Sequence, residues 1–285
     1  MKSQIIKLPC GLGRVVFGYE RRGEAQRTLI FSSNLRAKVF RRLNSGLIVA
    51  EKEIDLGSGL TTNVGALALA NDALWSATNA LNSLFAKMKY HSSGTSATAA
   101  AATDIKLNSA ITGATTNVVA GTQVLVSAAN LQKYQTVATI LYDAGGPYTV
   151  QEWGLFSFGS SLPATTTLTD TTGSPFTAGT ATSGTVTATP LTASSGTVMG
   201  QQMSIFDNTN ATRVSWGLVT SNTNAVVTVP AWYKTADGTA GTTPVNADTY
   251  VIRPIMWDHR QFTSIGVANG DSIQFTYTLT IASGG

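Results

Sequence analysis

Gly270-Asp271-Ser272-Ile273-Gln274-Phe275-Thr276-Tyr277-Thr278-Leu279-Thr280-Ile281 is the stretch on which the fold turns. Ile273, Phe275, Tyr277, Leu279 and Ile281 alternate without a break with Ser272, Gln274, Thr276, Thr278 and Thr280. A period of two puts the apolar residues on one face of a strand and the hydroxyl-rich ones on the other. β-branched and aromatic side chains suit a pleated, half-buried surface. Asn269-Gly270-Asp271 supplies a turn in front. The stretch is expected to be a final sheet strand packed on a core.

Outward from that strand, short apolar runs bounded by turn residues recur through most of the chain. Residues 12–19, 28–31 and 46–54 read as strands, and 35–43 are open between strand and helix. Further strands are expected near 123–127, 134–142 and 149–158, with Asp143 to Pro147 as a tight turn between the last two. Residues 90–104 read as a small-residue loop. The period changes between about 62 and 89. There Leu67, Leu74, Leu81 and Met88 fall seven apart, with Ala77, Leu84 and Phe85 on the same stripe. Thr62 or Asn63 can cap that helix, Lys87 and Lys89 suit its C-terminal end, and Gly65 weakens its first turn. The stripe fits a core face, or a seam between subunits.

From Gly159 to about Asp248 Thr, Ser, Gly and Ala dominate, with short strands expected at 184–189, 202–206, 213–219, 225–229 and 249–253. The expected organisation is a basic, β-rich docking region at 1–59 and a core module at 60–158 plus 254–285. A Thr/Ser/Gly-rich all-β domain, 159–253, is inserted into that module. The fold class is mainly β, an α+β chain with one long helix: a β-sandwich or jelly-roll-like core with a small all-β insertion.

Charge is sparse and uneven. Charged residues make up 12% of the 285 residues, against 43% apolar, which argues against disorder. Eleven of the nineteen Lys and Arg lie within residues 1–52, with three acids there, Glu20, Glu24 and Glu51. Because apolar residues interrupt that basic region, a folded, partner-facing segment that meets an acidic protein surface is expected ahead of a nucleic-acid arm. Cys10 is the single cysteine, so no intrachain disulfide and no Cys-based metal site can form. Residues 1–10 carry no long apolar core of a signal peptide, and no apolar run approaches the roughly 18 residues of a membrane span. Synthesis in a host cytoplasm, without a membrane partner, is the expectation.

Three groups of residues bear a resemblance. They are Tyr90-His91-Ser92-Ser93-Gly94-Thr95 with the alanine run to Asp104, Gln151-Glu152-Trp153-Gly154-Leu155-Phe156-Ser157, and Met256-Trp257-Asp258-His259-Arg260-Gln261-Phe262 with Val267-Ala268-Asn269-Gly270-Asp271-Ser272-Ile273. Together they resemble a family of tailed-phage virion proteins of the surface and fibre type, over roughly residues 55–158 and 254–285. In related sequences the Glu-Trp-Gly-Leu-Phe strand is followed almost at once by the Trp-Asp-Arg-like segment. The resemblance therefore also implies an insertion at 159–253. It implies a virion location and no catalytic motif.

The residues that could carry chemistry are few. His91 and His259 have Asp104 and Asp258 as their nearest acids in sequence, and read as a loop histidine and a hydrogen-bonding histidine at a strand start rather than metal ligands. No Gly-x-Ser-x-Gly elbow is present. A glycosidase needs two converging carboxylates, for which Glu152, Asp258 and Asp271 are the candidates, the first two beside tryptophans. Asp271 reads as a turn residue bonding backbone amides, and Arg260 as an ion-pair partner of Glu152 or Asp258. Gly11 and Gly13 form a turn or bulge without a Walker lysine, and Asn210-Ala211-Thr212 is a chance glycosylation match. Trp216, Trp232 and Tyr233 either stack on a glycan or fill the core of the inserted domain.

The expected function is thus structural: no catalytic residues, no cofactor and no metal. Arg14, Arg21, Arg22, Arg27, Arg36, Lys38, Arg41 and Arg42 are expected to dock on an acidic shell such as a major capsid protein, on tail proteins or on a neighbouring subunit. The core module forms a closed homo-oligomer, with a trimer expected. Capsid decoration leads. A tail, baseplate or fibre component with a receptor- or glycan-binding insertion is the alternative, followed by a fibre-borne glycosidase and DNA packaging.

Overall fold

The computed structural model describes residues 29–66, 68, 87–112, 118–128, 131–157 and 250–283, with segments at 167–168, 176–177, 184–187, 203–207, 215–218, 221–222, 226–229, 231–234 and 239–241. The fold is mainly β, and every described strand pairing is antiparallel. The strands before the Thr-rich region are β1 (Leu29–Arg42), β2 (Ile48–Ala50), β3 (Ile54–Asp55), β4 (Leu60–Thr61), β5 (Tyr90–Gly94), β6 (Val119–Ala120), β7 (Thr122–Ala128), β8 (Leu131–Tyr142) and β9 (Tyr148–Phe156). Then come β10 (Thr167–Leu168), β11 (Phe176–Thr177), β12 (Gly184–Thr187), β13 (Met203–Asp207), β14 (Ser215–Leu218), β15 (Ser221–Asn222), β16 (Val226–Val229), β17 (Tyr233–Lys234) and β18 (Tyr250–Pro254). Last are β19 (Met256–Val267) and β20 (Asp271–Ser283).

The terminal alternating stretch is β20, and it lies inside its sheet rather than at an edge. The order is β2-β1-β20-β8-β7, with β3 also paired to β1. Rows of cross-strand neighbours show how the inner face is filled. Val39, Ile273 and Ile140 form one row, Ala37, Phe275 and Ala138 the next, and Leu35, Tyr277 and Thr136 the third. All nine are buried. Two alanines beside Phe275 leave room for its ring, so large and small side chains alternate as close packing requires.

A second sheet, β4-β19-β9-β5-β6, lies against that face. Trp153 of β9 stacks on Tyr277 with ring centroids 5.6 Å apart and lies 6.3 Å from Phe275. Trp257 Nε1 donates to the Tyr277 hydroxyl at 2.8 Å. The Ser93 and Tyr142 hydroxyls bond across the gap at 2.9 Å. The third and fourth sheets, β10-β18-β13-β14-β17 and β11-β12-β16-β15, are built wholly from strands between residues 167 and 254.

Several expectations need correction. Residues 90–94 are a strand, not part of a loop, and the loop begins only at Thr95. Residues 35–42 belong to β1, because Leu35, Ala37 and Val39 pack inward at period two. The strand expected at 46–54 breaks into β2 and β3. The jelly-roll connection and one continuous long helix are not supported: helix is described at 63–66, 68 and 87, and the rest of 62–89, like 12–19, lies outside the described residues. The helix start is nevertheless capped as its sequence suggests, with the Gly65 N–H donating to Thr62 Oγ1 at 3.0 Å. Gly65 is there for space, since a Cβ would sit 2.8 Å from Trp257 Cα.

Trp153→Ala removes the side chain that fills the space between the sheets. It is expected to cost about 3–5 kcal/mol of unfolding free energy, read from denaturant melts against the parent chain.

Candidate functional site

β19 carries the polar residues of the core. Met256, Trp257, Asp258, His259 and Arg260 are all buried, so neither face of the strand meets water there. The register explains this. Asp258, His259, Arg260 and Gln261 pair with Leu155, Gly154, Trp153 and Glu152 of β9. Successive side chains alternate faces. Asp258 and Arg260 therefore share the inner face with Trp153, whereas His259 and Glu152 share the outer one.

The outer face is covered by the loop after β5. It leaves at Gly94 and returns beside the strand, with the Thr95 N–H donating to the Ser109 carbonyl at 2.9 Å and the Ile111 N–H to the Ser93 carbonyl at 2.9 Å. Under this loop three ionisable groups, Asp104, His259 and Glu152, lie in contact. His259 Nδ1 meets Asp104 Oδ2 at 2.6 Å and Nε2 meets Glu152 Oε2 at 3.2 Å. Glu152 also accepts the backbone N–H groups of Ser109 at 2.6 Å, Asn108 at 2.9 Å and Ser96 at 3.4 Å. Asp104 accepts the Ala101 N–H at 2.6 Å. Burial pulls the His259 pKa down, but the bonds to Glu152 and Asp104 outweigh it and hold the pKa above its ordinary value. Burial pushes Glu152 up, and His259 with the Ser109 and Asn108 amides more than reverses this. The raised pKa favours the imidazolium form, in which both ring nitrogens donate.

On the inner face Arg260 Nε donates to Asp258 Oδ1 at 3.1 Å and its Nη2 to Ser33 Oγ at 3.1 Å, while its Nη1 reaches the Gly57 carbonyl. Ser33 Oγ donates to Asp258 Oδ2 at 3.2 Å. Ser33 belongs to β1, so this network joins the two sheets. Arg260 thus pairs with Asp258 and not with Glu152. His91 is a buried strand residue, correcting the loop assignment. Burial pushes its pKa down to about 3. Trp153 Nε1 can only donate, so His91 Nδ1 accepts that bond at 3.2 Å and Nε2–H faces Thr136 Oγ1 at 3.2 Å.

These arrangements have little room for chemistry. Both His259 nitrogens are taken, and each Glu152 oxygen already accepts from the protein. Glu152 and Asp258 lie on opposite faces of one sheet and so do not converge as a glycosidase pair must. Asp271 accepts the Ala268 N–H at 2.9 Å and the Arg42 N–H at 2.9 Å, the turn role its sequence position suggests, and pairs with Arg41 at 2.9 Å. Among the described residues no group of three or more His, Cys, Asp or Glu could hold a metal ion.

The docking cations divide. Arg14, Arg21, Arg22 and Arg27 lie outside the described residues. Arg36 and Lys38 sit on the outer face of β1, Arg36 in an exposed pair with Glu53 at 3.0 Å, and Arg42 is exposed at the end of the strand. Arg41 is engaged within the chain by Glu51, Asp271 and the Gly266 carbonyl. Trp216 and Trp232 are buried, and Trp216 packs between Phe206 and Tyr233 at 6.3 and 5.5 Å. They fill a core and present no stacking platform to a sugar. Tyr233 is half-buried. Ser33, Gly57 and Thr136 had no sequence signal. Glu152 had one, a carboxylate beside Trp153 at the start of the apolar run that ends at Phe156.

No family model matches the chain, and neither a curated protein nor a solved structure matches it.

The buried pair of Glu152 and His259 sets a pH window. Glu152, with a depressed pKa, stabilises the fold above its ordinary 4.5, a contribution lost as pH falls through the lower folded value. His259, with a raised pKa, stabilises below 6.5, a contribution lost as pH rises through the higher folded value. Melting temperature is expected to be highest between those two pH values, and His259→Gln should flatten the alkaline fall. Gly94→Ala would drive a Cβ into Glu152 Oε1 and the Ser109 carbonyl. It is expected to cost about 3 kcal/mol or more, as breaking a buried ion pair does, and to speed hydrogen exchange at Asn108 and Ser109.

Proposed function

We propose that the chain is a non-enzymatic structural component of a tailed-phage virion that decorates or cements the capsid exterior as a homo-oligomer. One observation carries this reading. The described ionisable side chains that could do chemistry fasten the chain to itself, while apolar side chains stand outside. Leu47, Ile48 and Leu125 are 61%, 62% and 70% exposed. Such a surface suits association rather than turnover. The resemblance of the 90–104, 151–157 and 256–273 segments to virion proteins points the same way. Arg36, Lys38 and Arg42, with the arginines of residues 1–28, supply the cations for an acidic shell. The two sheets built from strands between residues 167 and 254 belong to the inserted module of this reading, and its Phe206 and Trp216 share a buried cluster with Trp153 and Ile255.

A second reading, a tail, baseplate or fibre component, is favoured by the way that module is hung. The Ser157 N–H donates to the Ile255 carbonyl at 3.0 Å, so the chain leaves and re-enters the core at neighbouring points. A receptor site there would have to use residues other than Trp216 and Trp232.

Copy number separates the two. Quantitative mass spectrometry of purified particles, with the density located in a map, should find hundreds of copies on the capsid surface. A few dozen at the tail would select the second reading. Absence from particles, or substrate turnover abolished by Glu152→Gln, would overturn both.

A further inference from the structure

Residues 95–109 leave the second sheet at Gly94 and return to it at Ala110, the two bridged as antiparallel neighbours. Between those points the loop lies over the outer face of β19 and β9. Several of its fastenings are ordinary. Ile105, half-buried, packs on the main core, and the Asn63 N–H donates to the Ala102 carbonyl at 2.7 Å. Leu107 rests with Phe156 and Met256 in a small buried cluster apart from that core. One fastening is of another kind. His259 reaches Asp104 in the middle of the loop with Nδ1 and Glu152 with Nε2. Glu152 in turn holds both ends of the loop through the N–H groups of Ser96, Asn108 and Ser109. A single ring thus ties the middle of the loop to the carboxylate that gathers its ends.

That ring has two donors only while it carries a proton. Neutral, it donates from one nitrogen and turns a lone pair on the carboxylate facing the other. Glu152 is fully buried and has three amides to satisfy it. The Asp104 side chain is 18% exposed, so water can take the place of the ring there. Other charges around His259 are few. The loop adds only Lys106, which is exposed, β4 brings Leu60 and Thr61, and residues 63–66 bring no ionisable group. Asp258 and Arg260 of β19 turn to the inner face and pair with each other, and His91 of β5 lies on that side against Trp153. We propose that the 95–109 loop is a proton-keyed latch: protonated His259 holds it shut over Phe156 and Met256, and loss of that proton lets it lift while the two sheets stay folded. Because Leu107 belongs to the separate cluster, the lift draws only Ile105 from the main core.

The raised pKa of His259 gives the direction. The closed loop binds the proton more tightly than the open one. Opening therefore becomes about tenfold more frequent for each pH unit between the ordinary 6.5 and the higher closed-state value. Amide hydrogen exchange of the full chain from about pH 6 to 9, followed in peptides that carry Asn108 and Ser109 and in peptides from β20, measures this where reclosing outruns exchange. Exchange chemistry follows the first power of hydroxide concentration, and a latch that sheds one proton adds a second. The Asn108 and Ser109 amides should follow the second power above pH 6.5 and exchange roughly a hundredfold faster than Phe275. Asp104→Asn, which removes one of the two carboxylates, should shorten the second-power range, and His259→Gln should abolish it. First-power exchange of the parent loop throughout, or second-power exchange that survives His259→Gln, overturns the latch. Loop amides as slow as those of β20 overturn it too, because the loop would then leave only when the whole chain unfolds.

Discussion

The contact on which the rest of this structure depends is that of Trp153 with Tyr277. It joins the middle strands of two sheets, and each ring is fixed by a polar handle. Trp153 Nε1 bonds His91, and the Tyr277 hydroxyl accepts from Trp257. A buried indole or phenol left without its bond would cost about 1–3 kcal/mol. The two handles therefore set the orientation as well as the depth of the rings. Phe275 and the alanines beside it fit around that arrangement.

The second sheet is unusual in being covered twice, by the first sheet on its inner side and by the loop after β5 on its outer side. Besides its alanines that loop brings Ile105, which packs on the core, and Leu107 and Ile111, both buried. It is held by charge and backbone bonds as well, with Glu152 gathering three amide groups and His259 bridging to Asp104. An ion pair in such a place adds little net stability over an apolar filling, but it specifies one geometry and penalises others. Glycines keep the backbone close enough for this to work. Gly94 touches Glu152, and Gly59 touches the Asp258–Arg260 pair.

What could be read from the sequence follows from where water lies. β20 was legible because only one of its faces is buried, and a one-sided strand writes its period into the residue types. β8 was legible for the same reason, and β9, though buried on both faces, for its apolar run from Trp153 to Phe156 and for the turn before it, where Gly145 has φ of +77°. β5 was not, because Tyr90-His-Ser-Ser-Gly is polar in composition and buried by what surrounds it. Asp258 and Arg260 share a face two residues apart, and their pairing was one of two that the sequence left open, Glu152 being the other. The partners of His259 lie 155 and 107 residues away, and no local pattern points to them. The burial of Trp216 and Trp232 is likewise a property of packing, which composition leaves open.

The way the Thr-rich segment is attached carries a consequence of its own. Phe156 and Met256 are cross-strand neighbours, and Ser157 and Ile255 hold each other by two bonds, of 3.0 and 2.9 Å. The backbone between those points departs and returns through one doorway in the ladder, which is closed whatever lies beyond it. The ends of such a cassette need not be brought together by the cassette itself. A longer, shorter or unrelated payload could be exchanged there while the host sheet keeps its register, because chain closure becomes only slowly more costly with length.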